Sequence, residues 1–261
     1  MTHGSDMTVS LLSVTPVKGL ALHHPSHIDV TADGIVGDRA LFLVDDKDEP
    51  ISCTDLGGIM RLSADYDATT GVLSVHGPDG LMRSDVVERG EPVTADFYGL
   101  RDVAGHIATG WGSLFTRVAG TPVRLVIGDS GAFDVAGLTL LGSASTAELA
   151  ARNHGEQVDG RRFRMNVEIS GSAPLAEDGW DGRTLQLGDV VVRAGGPVKR
   201  CAATTRHPDT GDIDVQTLKL IGAFKGRQET PEFGAGFYFG VYADVVTPGR
   251  IHIGDAVTLV D

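Results

Sequence analysis

Short runs in which apolar and polar residues alternate recur along the chain, a pattern typical of half-buried antiparallel strands. The 35 glycines and 11 prolines of the sequence favour tight turns between these runs. Pro248-Gly249, for example, predicts the turn between the last two strands. The alternation predicts strands over Val9–Val14, His27–Thr31, Ala40–Val44, Met60–Tyr66, Val72–Val75, Val123–Ile127, Leu138–Leu141, Asn166–Ile169, Thr184–Leu187, Val190–Arg193, Phe237–Val246 and Arg250–Leu259.

Three other segments carry a helical pattern. Residues 104–118 repeat apolar side chains at helical spacing and end at Gly120. Ser145-Thr-Ala-Glu148 has the form of a capping box and predicts a helix that begins at Ser145. A third helix is predicted over Val215–Phe224. Because strands outnumber helices, we expect a mainly β protein with helical insertions (α+β), closest to the β-barrels.

Charge and composition narrow the classes of function. The formal net charge is −13, from 35 acidic and 22 basic residues, and such a surface repels nucleic acid and anionic lipid. No apolar run reaches the roughly 18 residues of a membrane span. The first residues show no secretory signal, and two cysteines cannot form a disulfide framework. We therefore expect a cytoplasmic protein without a nucleic-acid or membrane partner.

Two basic clusters stand out against this acidic background. They are Arg161-Arg162-Phe163-Arg164 and Lys199-Arg200. Each cluster is either an exposed, charged strand end or part of an anion site, and the sequence alone leaves both interpretations open.

Cys201 is the residue with the most chemical potential. Gly195-Gly196-Pro197 precedes it, so we expect it on a loop that leaves a strand. The adjacent cations favour its thiolate form, and a thiolate suits a soft, thiophilic metal. The alternative is that Cys201 is a small buried hydrophobic residue, the commonest role of a lone cysteine.

Several other site types are unsupported. The chain has no Cys-x-x-Cys or His-Glu-x-x-His pattern for zinc, and no Gly-x-Ser-x-Gly elbow of a serine hydrolase. The Gly-x-Gly-x-x-Gly pattern of a Rossmann nucleotide site is also missing. A papain-like pairing of cysteine and histidine stays open, because its partners need not be adjacent in sequence.

A series of short motifs runs along the chain in a fixed order. They are Pro16-Val-Lys-Gly19, Gly34-Ile-Val-Gly-Asp-Arg39, Leu141-Gly-Ser-Ala-Ser145, Arg162-Phe-Arg-Met-Asn166, Ala176-Glu-Asp-Gly-Trp180, Arg200-Cys201 with Asp209-Thr-Gly211, and Gly249-Arg-Ile-His-Ile-Gly-Asp255. The motifs of the second half resemble the MOSC domain, the C-terminal domain type of molybdenum cofactor sulfurases, and the two motifs of the first half resemble the β-barrel domain that commonly precedes it. The combination is similar to the mitochondrial amidoxime-reducing component and its bacterial relatives.

The resemblance implies a MOSC-type β-barrel over residues 96–261, packed with an N-terminal β-barrel-like domain over residues 1–95. It also implies a molybdenum–molybdopterin cofactor whose metal is held by Cys201, the expected catalytic residue; pyridoxal phosphate is not expected. Cations, a helix-start hydroxyl and an amide would bind the phosphate and the pterin edge. These cofactor-binding residues are Lys18, Arg39, Ser145, Arg164, Asn166 and Arg200.

The implied activity is that of an oxidoreductase that reduces N-hydroxylated or other N-oxygenated small molecules. Electrons would come from a separate donor protein, because the chain has no flavin, haem or iron–sulfur motif. Two alternatives are a sulfur or cofactor carrier that uses a Cys201 persulfide, and a metal-free binding module.

The chain departs from the family pattern at three places. Gly19 stands where relatives often have serine, and no arginine occurs around Ser52-Cys53-Thr54. Both departures bear on the details of cofactor and substrate binding. Val198 stands where some relatives have a second cysteine, which leaves Cys201 as the expected ligand.

Overall fold

Strands are the commonest regular element of the protein, as the alternating pattern predicts. The computed structural model describes residues 7–260. Twenty strands occur in this range, most of them bounded by glycine or by polar turns. They are β1 (Thr8–Leu12), β2 (His27–Thr31), β3 (Gly34–Ile35), β4 (Leu41–Val44), β5 (Pro50–Ile51), β6 (Ser63–Asp67), β7 (Val72–Gly77), β8 (Gly80–Val86), β9 (Arg89–Phe97), β10 (Arg101–Ala108), β11 (Arg124–Gly128), β12 (Leu138–Gly142), β13 (Val167–Ser170), β14 (Thr184–Leu187), β15 (Val190–Lys199), β16 (Gln228–Thr230), β17 (Gly234–Gly236), β18 (Tyr238–Thr247), β19 (Gly249–His252) and β20 (Val257–Leu259).

Helices are short and few in the same range. The three α-helices are α1 (Gly112–Ala119), α2 (Ser143–Arg152) and α3 (Thr217–Lys225). Four single-turn 3₁₀ helices cover Gly57–Arg61, Gly160–Phe163, Ala176–Gly179 and Ala202–Thr205. No helix in residues 7–260 has the length and apolar character needed to cross a membrane. The third predicted helix is confirmed, with its start moved from Val215 to Thr217.

The helix predicted over residues 104–118 is wrong in its first half. Residues up to Ala108 belong to β10, which pairs with β9 and β11, and the helix begins at Gly112. The pairing of β10 on both edges satisfies its backbone polar groups, which a local periodicity cannot reveal. The predicted end is correct, because Gly120 caps α1 in the left-handed conformation with φ of 70°.

Several other boundaries differ from the prediction, among them those of β6, β15, α2 and the last predicted strand. Helix α2 begins at Ser143, and no side chain caps it, so the predicted capping box does not form. The last predicted strand divides into β19 and β20, because Gly254 has φ of 90° and the His252 amide donates to the Asp255 carboxylate at 2.7 Å. This turn ends one strand and starts the other.

A seven-stranded sheet in the order β1-β13-β12-β18-β15-β14-β20 encloses the larger core. Its two outer strands meet through an antiparallel bridge between Thr8 and Ala256. Backbone hydrogen bonds from Val9 to Asp255 (2.9 Å) and from Val257 to Met7 (2.8 Å) strengthen the junction. The sheet is therefore a nearly closed β-barrel, which removes the exposed edges that an open sheet would have.

A second layer is built from the first half of the chain. A five-stranded sheet, β5-β4-β11-β10-β9, and a three-stranded sheet, β6-β7-β8, enclose a separate apolar cluster that contains Trp111 and Phe115. Strands β1, β2 and β3 also come from the first half of the chain, but they pack on the barrel and contribute Val9, Ile28 and Ile35 to its core. The division of the chain at residue 95 stays a prediction, and residues 89–97 of that region form one continuous strand.

Candidate functional site

Cys201 lies on the loop that leaves β15, as expected, although Gly195-Gly196-Pro197 lies within β15, where the register shifts, and not in the loop. Cys201 is exposed. It has an extended backbone and is the N-cap residue of the 3₁₀ helix over Ala202–Thr205. The Thr204 hydroxyl donates to the Cys201 carbonyl at 3.0 Å and fixes the loop. The Cys201 Sγ atom lies 3.5 Å from the Thr54 hydroxyl, so the thiol meets a loop from the first half of the chain.

Arg200 directs its guanidinium inward beside this thiol. The guanidinium donates to the carbonyls of Phe239 (2.8 Å) and Phe163 (3.0 Å) and packs over the Phe163 ring at 5.4 Å. No carboxylate of residues 7–260 forms an ion pair with it. Burial lowers the pKa of Arg200 to about 10, an effect only partly opposed by Tyr242 and Cys201.

Arg164 is a second cation without a carboxylate partner in the described part of the chain. It ends the 3₁₀ helix over Gly160–Phe163 in the left-handed conformation, with φ of 52°. Its guanidinium donates to the Leu20 carbonyl at 2.7 Å. Burial lowers its pKa, the nearby Cys53 opposes that shift, and Arg39 adds to it. Arg164 is therefore desolvated and repelled by Arg39, the charge of Asp38 offsets part of this, and no carboxylate of the described residues forms an ion pair with it.

Lys18 and Arg39 complete a group of four cations, and both are paired. The Lys18 ammonium donates to the Asp134 carboxylate at 2.6 Å and to the Ala132 carbonyl at 2.9 Å. Burial lowers the pKa of Lys18, Asp134 opposes this, and the charges of Arg39 and Arg164 lower it further. Arg39 pairs with Asp38 and donates to the Arg164 carbonyl at 3.1 Å. We call Lys18, Arg39, Arg164 and Arg200 the basic cluster.

Asn166 hydrogen-bonds to Asp38, the carboxylate that pairs with Arg39 of this cluster. Its amide nitrogen donates to the Ser13 carbonyl (3.2 Å) and to the Asp38 carboxylate (3.0 Å), and its amide oxygen accepts from Thr139 (2.9 Å). Asp38 in turn pairs with Arg39. Asn166 therefore contacts the basic cluster through a carboxylate, and its direct contact with a pterin stays a prediction.

Ser145 belongs to a different polar group, beneath α2. Its hydroxyl donates to the Glu177 carboxylate at 2.9 Å and accepts from the Leu175 amide at 2.8 Å. The hydroxyl is fully buried and already engaged in both directions. The structure thus brings five predicted residues together with Cys201 and places Ser145 in a separate network.

Sequence reasoning missed four residues: Thr54, whose hydroxyl contacts the Cys201 thiol, and Tyr98, Asp134 and Tyr242, of which the two tyrosines interact electrostatically with Cys201 and with Asp134. Burial raises the pKa of both phenols to about 12, and Cys201 and Asp134 are among the charges that contribute to each rise. Three of the four come from loops of the first half or the segment before β12, so no motif near Cys201 announces them. Tyr98-Gly99, between two alternating segments, is the one local signal that marks a turn.

A cleft of about 400 Å³ lies elsewhere on the surface. Its walls include Arg101, Asp129, Phe133 and Asp244, and none of the residues predicted to bind cofactor lines it. In residues 7–260, no group of three or more His, Cys, Asp or Glu side chains could hold a metal ion by itself. A metal at this site would therefore need ligands from a cofactor in addition to Cys201.

The donor set fits an anionic cofactor. Two partly buried guanidiniums without carboxylate partners offer the forked hydrogen-bond geometry that phosphate accepts. The exposed thiol beside them can ligate a soft metal that already carries sulfur ligands.

Part of the chain is similar in sequence to proteins of known name. Mitochondrial amidoxime-reducing component 1 of Homo sapiens is 34% identical over 129 residues, which are 48% of this chain and 37% of that protein. Molybdenum cofactor sulfurase of Oryza sativa subsp. japonica is 30% identical over 107 residues, 37% of this chain and 13% of that protein. The match thus spans little more than a third of the first relative's length and far less of the second's.

Among solved structures, the YuaD protein of Bacillus subtilis aligns over 96% of this chain and 93% of its own. The two share 11% sequence identity, with a TM-score of 0.44. The sequence profile of the MOSC domain matches residues 133–258, a range that contains five of the seven barrel strands, including β15 before Cys201, and most of β20. Residues 133–258 of this chain are therefore a MOSC domain.

Proposed function

We propose that the protein binds a molybdenum–pterin cofactor, with Cys201 as the metal ligand, and reduces N-hydroxylated or N-oxygenated small molecules. The MOSC domain and relatives named for amidoxime reduction and for the molybdenum cofactor support this proposal. The structural observation that carries it is the pair Arg164 and Arg200, two desolvated guanidiniums without carboxylate partners in residues 7–260, beside an exposed thiol.

The energetics favour an anion at this position. A desolvated charge without an opposite charge is costly, whereas a charge-assisted hydrogen bond is roughly twice as strong as a neutral one. A phosphate that accepts from Arg164 and Arg200 would restore the balance that Asp38 gives Arg39 and Asp134 gives Lys18. The protein surface is acidic overall, so this concentration of cations also directs an anionic ligand to the site.

Each protein group then has a defined part. When bound, the molybdenum centre supplies the two-electron exchange that no side chain can perform. Cys201 presents a thiolate, and Arg164 and Arg200 hold phosphate. The charges of Lys18 and Arg39 lower the energy of a bound anion. Asn166 fixes Asp38 and through it the orientation of Arg39. Electrons reach the centre from a separate donor protein.

Metal and pterin analysis tests the proposal. Protein from a molybdate-fed host that makes the cofactor should carry about one molybdenum per chain, and Cys201→Ala should lose the metal. Cys53→Ala is the matched control, because Cys53 is buried and should leave the metal content unchanged. Pterin bound at full metal content in Cys201→Ala would show that Cys201 is not the ligand.

A sulfur or cofactor carrier is the second candidate, and the exposure of the Cys201 thiol favours it specifically. A carrier must offer its sulfur to another protein, and Cys201 is accessible enough to do so. The same preparation distinguishes the two, because a carrier would contain a Cys201 persulfide and little molybdenum. Protein that lacks metal, pterin and persulfide would support a metal-free binding module instead.

A further inference from the structure

Two histidines face each other on the solvent side of the β2–β19 pair. His27 is the first residue of β2 and His252 is the last residue of β19, and the antiparallel register places them directly opposite each other. Both strands alternate, so Ile28 and Ile251 are buried while the two histidines are exposed. The imidazole ring centroids lie 5.6 Å apart, with 35° between the ring planes. Two potential metal ligands therefore occupy one small area of the surface.

The next cross-strand pair on the same face is of a different kind. Arg250 lies opposite Asp29, and its guanidinium donates twice to that carboxylate, at 2.6 and 3.1 Å. Opposite charges in such a pair satisfy each other. The two imidazoles of His27 and His252 are like groups, and neither supplies what the other lacks. The histidine pair is therefore the one of these two pairs that has ligand atoms to spare.

Both rings turn the same nitrogen toward the protein. The Nδ1 atom of His252 lies 3.6 Å from the Asp255 carboxylate, which also accepts from the His252 amide at 2.7 Å. The Nδ1 atom of His27 lies 3.5 Å from the Ser26 hydroxyl. In residues 7–260, neither Nε2 atom has a hydrogen-bond or ion-pair partner. A carboxylate near Nδ1 favours the tautomer that carries its proton there, and the Nε2 lone pair is then free to bind a metal.

The spacing of the rings matches that of two imidazoles on a shared ion. Imidazole nitrogen binds zinc at about 2.0–2.1 Å, so two imidazoles on one ion have ring centres roughly 5–6 Å apart. The observed separation of 5.6 Å lies in this range. Strand pairing holds the two backbones in register, and chelation then needs only rotation of the side chains. No third His, Cys, Asp or Glu of the described residues completes a metal-binding group, so water would fill the other positions.

We propose that His27 and His252 form a surface site for a divalent transition-metal ion that prefers nitrogen ligands, such as zinc or copper(II). Each histidine binds the ion through Nε2. Magnesium and calcium are poor occupants, because both prefer oxygen ligands. Strand β2 precedes the matched MOSC range and β19 lies within it, so the bound ion joins the two parts of the chain. The site shares no residue with the Cys201 site and does not depend on the proposed cofactor.

Calorimetric titration of the full-length chain with zinc tests the site. All proteins carry Cys201→Ala, so that the exposed thiol does not compete for the metal. We expect one zinc ion per chain, tighter binding of copper(II) and no binding of magnesium. His27→Asn and His252→Asn should each weaken zinc binding roughly tenfold to a hundredfold, because a single imidazole loses the chelate. His154→Asn is the matched control, an exposed histidine whose left-handed φ of 56° asparagine also adopts.

Thermal unfolding tests whether the ion joins the two strands. An ion that binds only the folded state raises Tm, and zinc at about one hundred times its Kd should raise the Tm of the parent protein by several degrees. The same zinc concentration should leave the Tm of His27→Asn and His252→Asn unchanged. The Tm of each variant without metal checks that its fold is intact. Zinc affinity that is unchanged in both variants, equal binding of magnesium, or a parent protein that binds no zinc would each overturn the site.

Discussion

Two arginines of one basic run, Arg162 and Arg164, have opposite surroundings. Arg162 is buried and makes two hydrogen bonds to the Asp214 carboxylate, at 2.6 and 2.7 Å. Arg164 has no carboxylate partner in residues 7–260 and donates only to a backbone carbonyl. Partner geometry thus separates a residue that stabilises the fold from one available to a ligand, although both belong to the same sequence motif.

Substitution by methionine should separate the two roles. Arg162→Met should lower the free energy of unfolding by about 1–3 kcal/mol, because Asp214 loses its partner. Arg164→Met should change it by less than about 1 kcal/mol, because no ion pair is broken. The measurements are urea unfolding of cofactor-free protein and pterin content of loaded protein. Full pterin content in Arg164→Met would contradict the proposed phosphate contact.

Glu177 is a buried carboxyl without a cation. Its Oε2 atom accepts from Ser145, and its Oε1 atom has no partner among the described residues. Burial raises its pKa above the ordinary 4.5, and Asp178 adds to the rise. The folded state therefore favours the protonated form. The stability that this group contributes is fully present below pH 4.5 and is lost as the pH rises through the folded pKa.

Glu177→Gln should remove this loss. We expect the gain in unfolding free energy of the variant over wild type to be larger at pH 8 than at pH 5, because glutamine has no charge to bury. Urea unfolding at the two pH values measures it. Glu148→Gln, on the adjacent helix α2, is the control for the same chemical change at a more exposed carboxylate. A gain that is equal at both pH values would contradict the buried-acid interpretation.

At the scale of elements, the loop around Gly57 and the loop around Gly211 contact each other and position the Cys201 thiol. The carbonyl of Gly211 lies against Gly57, so a Cβ atom at either glycine would collide with the other backbone. Arg206 spans the junction and donates to the carbonyls of Gly211 and Thr54, both at 2.8 Å. Because Thr54 contacts Cys201, this junction joins the first half of the chain to the MOSC domain at the site.

Gly211→Ala should disturb this junction. Gly211 and Gly120 both have positive φ, 75° and 70°, but a Cβ atom at Gly120 would meet nothing within 4 Å. Both alanine variants should lose about 1–2 kcal/mol from backbone strain, and Gly211→Ala should lose about 1–3 kcal/mol more from overpacking. Urea unfolding measures the difference. Equal losses in the two variants would show that the loops separate without cost.

Local patterns in the sequence predict most elements but fewer of the contacts. The bounds of β2 and β14 are predicted correctly, because their alternation follows directly from one buried face. The helical spacing predicts a helix over residues 104–108, whereas these residues pair with β9 and with β11, and a periodicity along one segment does not reveal either pairing. The same limit applies to the site: motifs predict Cys201 and the basic cluster, whereas Tyr98 and Thr54 arrive through tertiary contacts.

At the scale of the whole molecule, one strand of the β-barrel comes from outside the MOSC domain. Strand β1 lies outside the matched range of residues 133–258 and pairs with β13 inside it. Val9 and Leu12 of β1 are almost fully buried in the barrel core. The barrel therefore needs the beginning of the chain both for a strand and for apolar side chains.

A fragment of residues 96–261 should consequently fail to fold alone. Without β1, the β13 edge and the core cavity left by Val9 and Leu12 are exposed. Circular dichroism of the fragment should show no cooperative thermal transition, and co-expression with residues 1–95 should restore one. A cooperative transition in the isolated fragment would support the predicted division at residue 95 as a boundary between independent folding units.

The bridge between Thr8 and Ala256 also sets the order of events during synthesis. The ribosome releases β1 long before Ala256, so the barrel cannot close until Ala256 has left the exit tunnel. Until then the edge of β1 that faces Ala256 presents unpaired backbone to the cell, and the long sequence separation slows the final closure. Nascent-chain protease protection should therefore appear abruptly, only after residue 256 has cleared the exit tunnel.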